Sequence, residues 1–390
     1  TEESVFLGLS RRKTIPNNIP PSVDIASNGP ACASVANNLM QFANGRVFVD
    51  YMYPTAQDVA KIRASAGGVI KNVISSFQGM IDQLDWMSAD TKKKAYDKTV
   101  NIQQNIAFPD WIKNDTLLAA YYTDLVIADA DNYYDILDKL TRFNIELQYN
   151  QLNAAHTDRT DFLGQPGTVN AWYQPELNSI TFPAGILVPP YFHPNWPPSI
   201  NYGGMGLVAG HELTHGFDDQ GVQWGPTGNL AGWMDDNSKT GFLAMAQCVI
   251  DEYNGFCPLN ATQYSPNCVK GSQTQGENIA DNGGIHAAFN AYKTHQALDG
   301  PDPRLPDRLF GQFTHDQLFF MSFAQVWCEV RRSDEALYTQ IMVDPHSPSM
   351  YRVFGTIQNF PAFQTAFNCP LGSNSAPTKH CEVWVPGKYQ

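Results

Sequence analysis

The sequence is short of cations. Its 390 residues hold 25 Lys and Arg against 38 Asp and Glu, a net charge of −13, and the largest cationic cluster is Lys92, Lys93 and Lys94. Three such lysines suit a solvated helix face, and an acidic field repels phosphate, so the composition argues against a nucleic-acid partner. Also missing is any apolar run of the roughly 18 residues a bilayer crossing requires. The opening stretch, T-E-E-S-V-F-L-G-L-S-R-R-K, lacks the order of a signal peptide, and the chain is expected to begin after a removed or absent segment. There are no internal repeats and no low-complexity tract. None of the seven cysteines forms a C-x-x-C pair, which argues against cysteine-ligated zinc, and the odd number implies a free thiol or a partner outside this chain.

What is present suits a folded protein of some size. Apolar content is 43%, and the length allows a large core, with two lobes expected. Asn114-Asp115-Thr116 and Asn260-Ala261-Thr262 are glycosylation sequons. Together with many cysteines they favour an oxidising, extracellular setting. Periodicity predicts helices over 56–104, broken near Trp86–Met87 with Ser88 as an N-cap, and over 139–155, 203–217, 276–297 and 314–328. Residues 169–173 and 179–182 read as strands around the turn P-E-L-N. Six prolines between 183 and 198 mark a loop, and composition alone marks no sharp domain boundary.

The chemistry concentrates at residues 210–219, G-H-E-L-T-H-G-F-D-D. His211 and His215 stand four apart, so on a helix both imidazoles share a face, with Glu212 one step round. Two neutral imidazoles on one face suit Zn²⁺, and an adjacent carboxylate can deprotonate a water there. A helical histidine pair beside a solvated glutamate would read the same way locally. A catalytic zinc needs a third protein ligand, for which Glu277 in G-E-N-I-A-D-N-G-G is the best candidate. Asp281, four residues on, would lie on the same face and could hold a ligating histidine by its free N–H. Taken alone, that pair would equally be a solvated helix face. His346 in D-P-H-S-P is a candidate donor to an oxyanion, with Asp344 near enough to hold its ring. Arg352 could bind a substrate carbonyl or carboxylate.

These residues resemble the neprilysin-like zinc endopeptidases, the family that includes neprilysin and the endothelin-converting enzymes. The likeness runs through V-N-A-W-Y, F-P-A-G-I-L, N-Y-G-G-M-G, G-H-E-L-T-H-G-F-D-D-Q-G, G-E-N-I-A-D-N-G-G, Q-L-F-F-M-S-F-A-Q-V-W-C, H-S-P-S-M-Y-R-V-F-G-T-I-Q-N and C-E-V-W, and more weakly through L-D-W-M-S-A-D-T-K-K-K-A. The resemblance implies a mainly α fold with a small β-sheet, with part of a helical capping lobe over 1–125 and a thermolysin-like zincin catalytic domain over 126–390. It implies one zinc ion held by His211, His215 and Glu277, Glu212 as general base, Asp281 behind a ligating histidine, and His346 as transition-state donor oriented by Asp344. Asn170 and Ala171 would bind the substrate backbone and Arg352 a carbonyl on the leaving-group side. Ile186, Tyr191, Leu207, Val208, Val326 and Trp327 would line a pocket for a large apolar residue just after the cleaved bond (P1′).

The resemblance further implies disulfides Cys248–Cys381 and Cys257–Cys268. Cys32, Cys328 and Cys369 would pair with cysteines in an upstream remainder of the same precursor, since family ectodomains are longer than this chain. The expected function is zinc-dependent hydrolysis of extracellular peptides by a secreted protein or the ectodomain of a single-pass membrane protein. The alternatives are a catalytically silent peptide-binding or decoy glycoprotein of the same fold, motivated by the missing part of the lobe, and a structural glycoprotein with no zinc.

Overall fold

The computed structural model describes residues 25–154, 157–306, 308 and 311–386; the opening stretch read above for a signal segment lies outside them. In chain order the main elements are α1 (Ile25–Leu39), α2 (Gln41–Met52), α3 (Ala56–Gln83), α4 (Ala89–Val100), β1 (Gln103–Ala107), α5 (Asp115–Tyr121), α6 (Tyr133–Asn150), β2 (Trp172–Gln174), β3 (Ser179–Pro183), α7 (Leu207–His215), α8 (Asp236–Asn254), α9 (Gly271–Asp299), α10 (His315–Val326), α11 (Asp334–Val343), α12 (Ser349–Gln358) and α13 (Pro361–Phe367). The fold is mainly helical with one small mixed sheet, as the resemblance implied.

The chain divides into two compact units. Of the described residues, the smaller takes in 25–54, 108–154, 157 and 164–168. Its helices are joined by a cluster of rings: Trp111 stacks on Tyr121 at 4.8 Å, Phe42 meets both edge-on, and Tyr122 stacks on Phe143 at 5.6 Å. Helix α6 starts six residues before its predicted start at 139. Asn132 accepts from Tyr134 N and Asp135 N while Asp135 binds back to Asn132 N, a reciprocal cap that satisfies donors the first turn leaves open.

The larger unit comprises, of the described residues, 55–107, 158–163, 169–306, 308 and 311–386. Helix α3 opens on a Thr55–Asp58 capping box and buries Ile62, Ala66, Ile70, Val73, Ile74, Phe77, Met80 and Ile81 along one stripe, which follows from their three- and four-residue spacing. Ser88 caps α4 as expected, accepting from Thr91 N. In the sheet, β3 pairs in parallel with β1 (Gln103↔Ser179 to Ala107↔Pro183) and antiparallel with β2 (Trp172↔Thr181 to Gln174↔Ser179), so β2 forms an edge. Strand β1 was not predicted. Its residues, Q-Q-N-I-A, carry almost no β-branched or aromatic signal.

The predicted helix 203–217 is in two parts: Tyr202–Gly206 forms a π-helical turn and the α-helix begins at Leu207. Helix α7 then packs directly on the centre of α9. A Cβ on Gly210 would lie 2.5 Å from Gly284 O and 2.8 Å from Gly284 Cα, so the two backbones touch where neither has a side chain. Beside this crossing Trp384 is fully buried, ringed by Phe77, Trp86, Phe217 and Phe242 at 5.6–6.2 Å. The disulfide Cys248–Cys381 fixes the approach to that tryptophan, and Cys257–Cys268 closes a short loop. Cys32, Cys328 and Cys369 form no disulfide among the described residues.

Candidate metal centre

Helices α7 and α9 bring His211, His215 and Glu277 together, one donor atom from each lying within 4.8 Å of the others. His211 Nε2 and His215 Nε2 are 3.0 Å apart, and Glu277 reaches them with Oε2 at 3.3 Å and Oε1 at 3.6 Å respectively. Each imidazole is held from behind. His211 Nδ1 is 2.9 Å from Asp281 Oδ1, and His215 Nδ1 is 2.6 Å from Asp218 Oδ2. If both Nδ1–H groups donate to these carboxylates, both Nε2 atoms present lone pairs, which at 3.0 Å repel unless a proton or a cation lies between.

A tetrahedral zinc fits this arrangement. Two ligands at 2.0–2.1 Å from such an ion sit about 3.3 Å from each other, which is the spacing seen. The donor set of two imidazoles and a carboxylate also suits zinc, and the carboxylates behind both rings fix tautomer and orientation. The Gly210–Gly284 crossing is what allows the two helices to approach closely enough for this.

Electrostatics follow the burial. Burial raises the pKa of Glu212, which lies within the fields of His211 and His215. Burial would likewise raise Glu277, but the His215 charge and bonds from both histidines bring it well below the usual range. Burial pushes His215 down, yet Glu277 and Asp218 carry it well above 6.5; His211 is also raised, by Asp281 and Glu277 acting against burial and His215. Asp281, fully buried, is lowered because the Arg352 charge outweighs its desolvation.

Arg352 on α12 is fixed from two sides. Its Nε and Nη2 meet the two Asp281 oxygens at 2.7 and 2.8 Å, and its guanidinium lies 3.8 Å over the Trp327 ring at the end of α10. His346 sits in the loop before α12, with Nδ1 2.8 Å from Asp344 Oδ1 and Nε2 3.3 Å from Glu277 Oε1. That loop is tied to α9: Gln273 Nε2 donates to Asp344 O, and Ser347 Oγ bonds Asn278 Oδ1.

Asn170 is exposed and Ala171 buried, immediately before edge strand β2. Ile186 and Leu207 are buried, while Tyr191, Val208, Val326 and Trp327 are half-buried. The contact between Trp327 and Arg352 links one of these six to the metal-binding group. Asp218 was missed in the sequence, although it stands three residues after His215, one turn beyond the helix end; an acidic residue at that offset was the available signal.

Two family models match the chain, both described as peptidase family M13, over residues 170–383 and 21–109. An endothelin-converting enzyme homolog from Locusta migratoria is 39% identical over 353 residues, covering 90% of this chain and 46% of the relative. Neprilysin-11 from Caenorhabditis elegans is 37% identical over 353 residues, 90% of this chain and 40% of that protein. Among solved structures, the inhibitor complex of Mycobacterium tuberculosis zinc metalloprotease Zmp1 matches with a TM-score of 0.78 at 32% identity, over 90% of this chain and 50% of that one. The chain therefore spans less than half the length of these two curated relatives.

Proposed function

The chain belongs to peptidase family M13, and from that premise we propose that it carries the active site of a zinc-dependent endopeptidase that cleaves extracellular peptides before a large apolar residue. The observation that carries this reading is the convergence of His211, His215 and Glu277, with a carboxylate behind each imidazole. These three residues would hold zinc, which supplies Lewis acidity that polarises a carbonyl and eases deprotonation of water near neutral pH.

The protein's own groups do the rest. Glu212 accepts a proton from the attacking water and passes it to the leaving amine, a role suited to a carboxylate whose pKa burial has raised. His346, its ring oriented by Asp344 at Nδ1, would donate from Nε2 to the oxyanion. Because Nε and Nη2 of Arg352 are engaged by Asp281, its Nη1 is the nitrogen we assign to a substrate carbonyl. Asn170 and Ala171, at the start of the edge strand, would bind an extended substrate backbone. Ile186, Tyr191, Leu207, Val208, Val326 and Trp327 would take the apolar P1′ side chain.

The setting follows from other features. Two disulfides and the exposed sequon residues Asn114 and Asn260 suit an oxidising, glycosylating compartment. We assign Cys32, Cys328 and Cys369 to bonds with an upstream part of the same precursor. No described helix is long and apolar enough to cross a membrane.

The test is cleavage of an internally quenched peptide with phenylalanine or leucine at P1′, with and without a zinc chelator, beside metal analysis. Glu212→Gln is expected to keep the zinc and lose turnover by at least about a hundredfold, since the base is lost and the ligands are not. Parental turnover in that variant would remove the general-base role. A parent that binds no zinc would remove the whole reading.

A further inference from the structure

We propose that Lys98, some 115 residues upstream of the histidines, is a positioning residue that tethers the Asp218 loop behind His215 and so sets the zinc affinity of the site. The inference rests on the zinc-peptidase reading above.

Lys98 lies on α4 and is 1% exposed. Its Nζ is 2.6 Å from Gly216 O, 2.7 Å from Gly221 O and 2.7 Å from Trp224 O. Those three carbonyls belong to the segment that leaves α7 and turns back under it. The ammonium has three N–H bonds and no acceptor, so three carbonyls match its donors. The faces of Phe217 and Tyr173 lie 5.4 and 5.7 Å away, completing a shell that favours a cation. Burial nevertheless pulls the Lys98 pKa down to about 7, against the attraction of Asp218. So desolvated a charge is a costly way to join a surface helix to a loop, and an apolar contact would serve if holding the fold together were all that was required.

What the segment carries explains the expense. Asp218 Oδ1 accepts from Gln220 N and Gly221 N at 2.8 and 2.7 Å, which locks the carboxylate within the same turn. Its Oδ2 is thereby aimed at His215 Nδ1 at 2.6 Å. The turn is packed hard against the helix end: a Cβ on Gly221 would fall 1.8 Å from His215 O. The path from Lys98 to the metal-binding group is therefore short and rigid, running from ammonium to loop carbonyls, then through the Asp218 carboxylate to the His215 ring. Groups that orient a ligating histidine typically alter metal affinity by about 10–100-fold when removed.

The experiment measures the zinc dissociation constant of the full chain by competition with a chromophoric chelator, for the parent, Lys98→Met, Asp218→Asn and the double variant, each checked for folding by circular dichroism. Lys98→Met is expected to weaken zinc about tenfold and Asp218→Asn by a similar factor. In the Asp218→Asn background, Lys98→Met should add less than twofold, because its effect runs through that carboxylate. Lys98→Gln keeps two of the three N–H donors and serves where the methionine variant does not fold; a three- to tenfold weakening is expected there. The d–d spectrum of the cobalt-substituted protein should shift in the Lys98 variants, which a purely structural role would not produce. A folded Lys98 variant that binds zinc as tightly as the parent overturns the inference and leaves the zinc reading standing. Full additivity in the double variant also overturns it. A parent that binds no zinc overturns both.

Discussion

Replacing Gly210 by alanine should damage the metal centre without touching a single ligand. The new Cβ would stand 2.5 Å from Gly284 O, 2.8 Å from Gly284 Cα and 3.0 Å from Gly284 C. Comfortable contacts are roughly 3.5–4.0 Å between carbons, so α7 and α9 must part by about 1 Å. Overpacking of this kind typically costs about 1–3 kcal/mol. The larger loss is functional. Glu277 rides on α9 and the histidines on α7, and their nitrogen–oxygen separations of 3.3 and 3.6 Å are already those of a tetrahedral site. Another ångström takes Glu277 beyond reach of an ion held by both imidazoles. Zinc affinity should fall at least about tenfold, in the range seen when support of a ligand is removed. Thermal unfolding should drop by several degrees, at about 2–4 °C per kcal/mol for a unit of this size. Gly68→Ala is the control. Gly68 is an exposed position in α3 with nothing within 4 Å of its added Cβ, and the change should be neutral or stabilise by up to about 1 kcal/mol through helix propensity. Chelator competition and calorimetry on the two variants decide the matter. A Gly210→Ala protein with parental zinc affinity and midpoint would refute the claim that this backbone contact sets the ligand spacing.

His346→Ala should lower kcat about a hundredfold with little change in KM, because the charge it meets develops only in the transition state; steady-state kinetics showing a pure KM effect would place it in substrate binding instead. Asp281→Asn should destabilise the protein by about 1–3 kcal/mol, since the buried Arg352 loses the carboxylate that meets it at 2.7 and 2.8 Å and keeps only Glu277 at 3.4 Å, and denaturant unfolding would read this directly. Glu252 should make stability fall as pH rises. Burial lifts its pKa to about 7 from 4.5, so its contribution is complete below 4.5 and is lost as pH climbs through 7. Glu252→Gln keeps an acceptor for Asn359 Nδ2 and does not titrate. It should match the parent near pH 4.5 and exceed it by roughly 1–3 kcal/mol at pH 8; parallel stability curves for the two would show that Glu252 is not the group responsible.

The parts of the site that could be read from the sequence are those written at helical spacing. His211 with His215, and Glu277 with Asp281, stand four apart on helices that did form, and Asp344 binds His346 from two residues away. Long-range partners carry no such mark. Nothing near Lys98 announces that three carbonyls beyond residue 215 will close on it, and a lysine among other lysines reads as solvated surface. The clamp of Asp281 on Arg352 was likewise hidden, because the arginine had been read only for its value to a substrate. Strand β1 escaped because its partner β3 supplies the apolar content and β1 only the backbone. A Cβ on Gly203 or Gly204, in the π-helical turn before α7, would lie 2.2 Å from Phe319 O or 2.4 Å from Tyr191 O, close approaches that no local pattern encodes.

Trp384 sets an order on the making of this protein. The ribosome delivers α3, both histidines, Glu277 and His346 well before the ring that Phe77, Trp86, Phe217 and Phe242 surround, and Phe217 is the immediate neighbour of Asp218. Until residue 384 has left the exit tunnel, the larger unit lacks the central piece of that packing, and Cys248 waits 133 residues for Cys381. Each newly made molecule therefore passes through a period in which the residues of α7 and α9 have been synthesised without the side chain that packs beside their crossing.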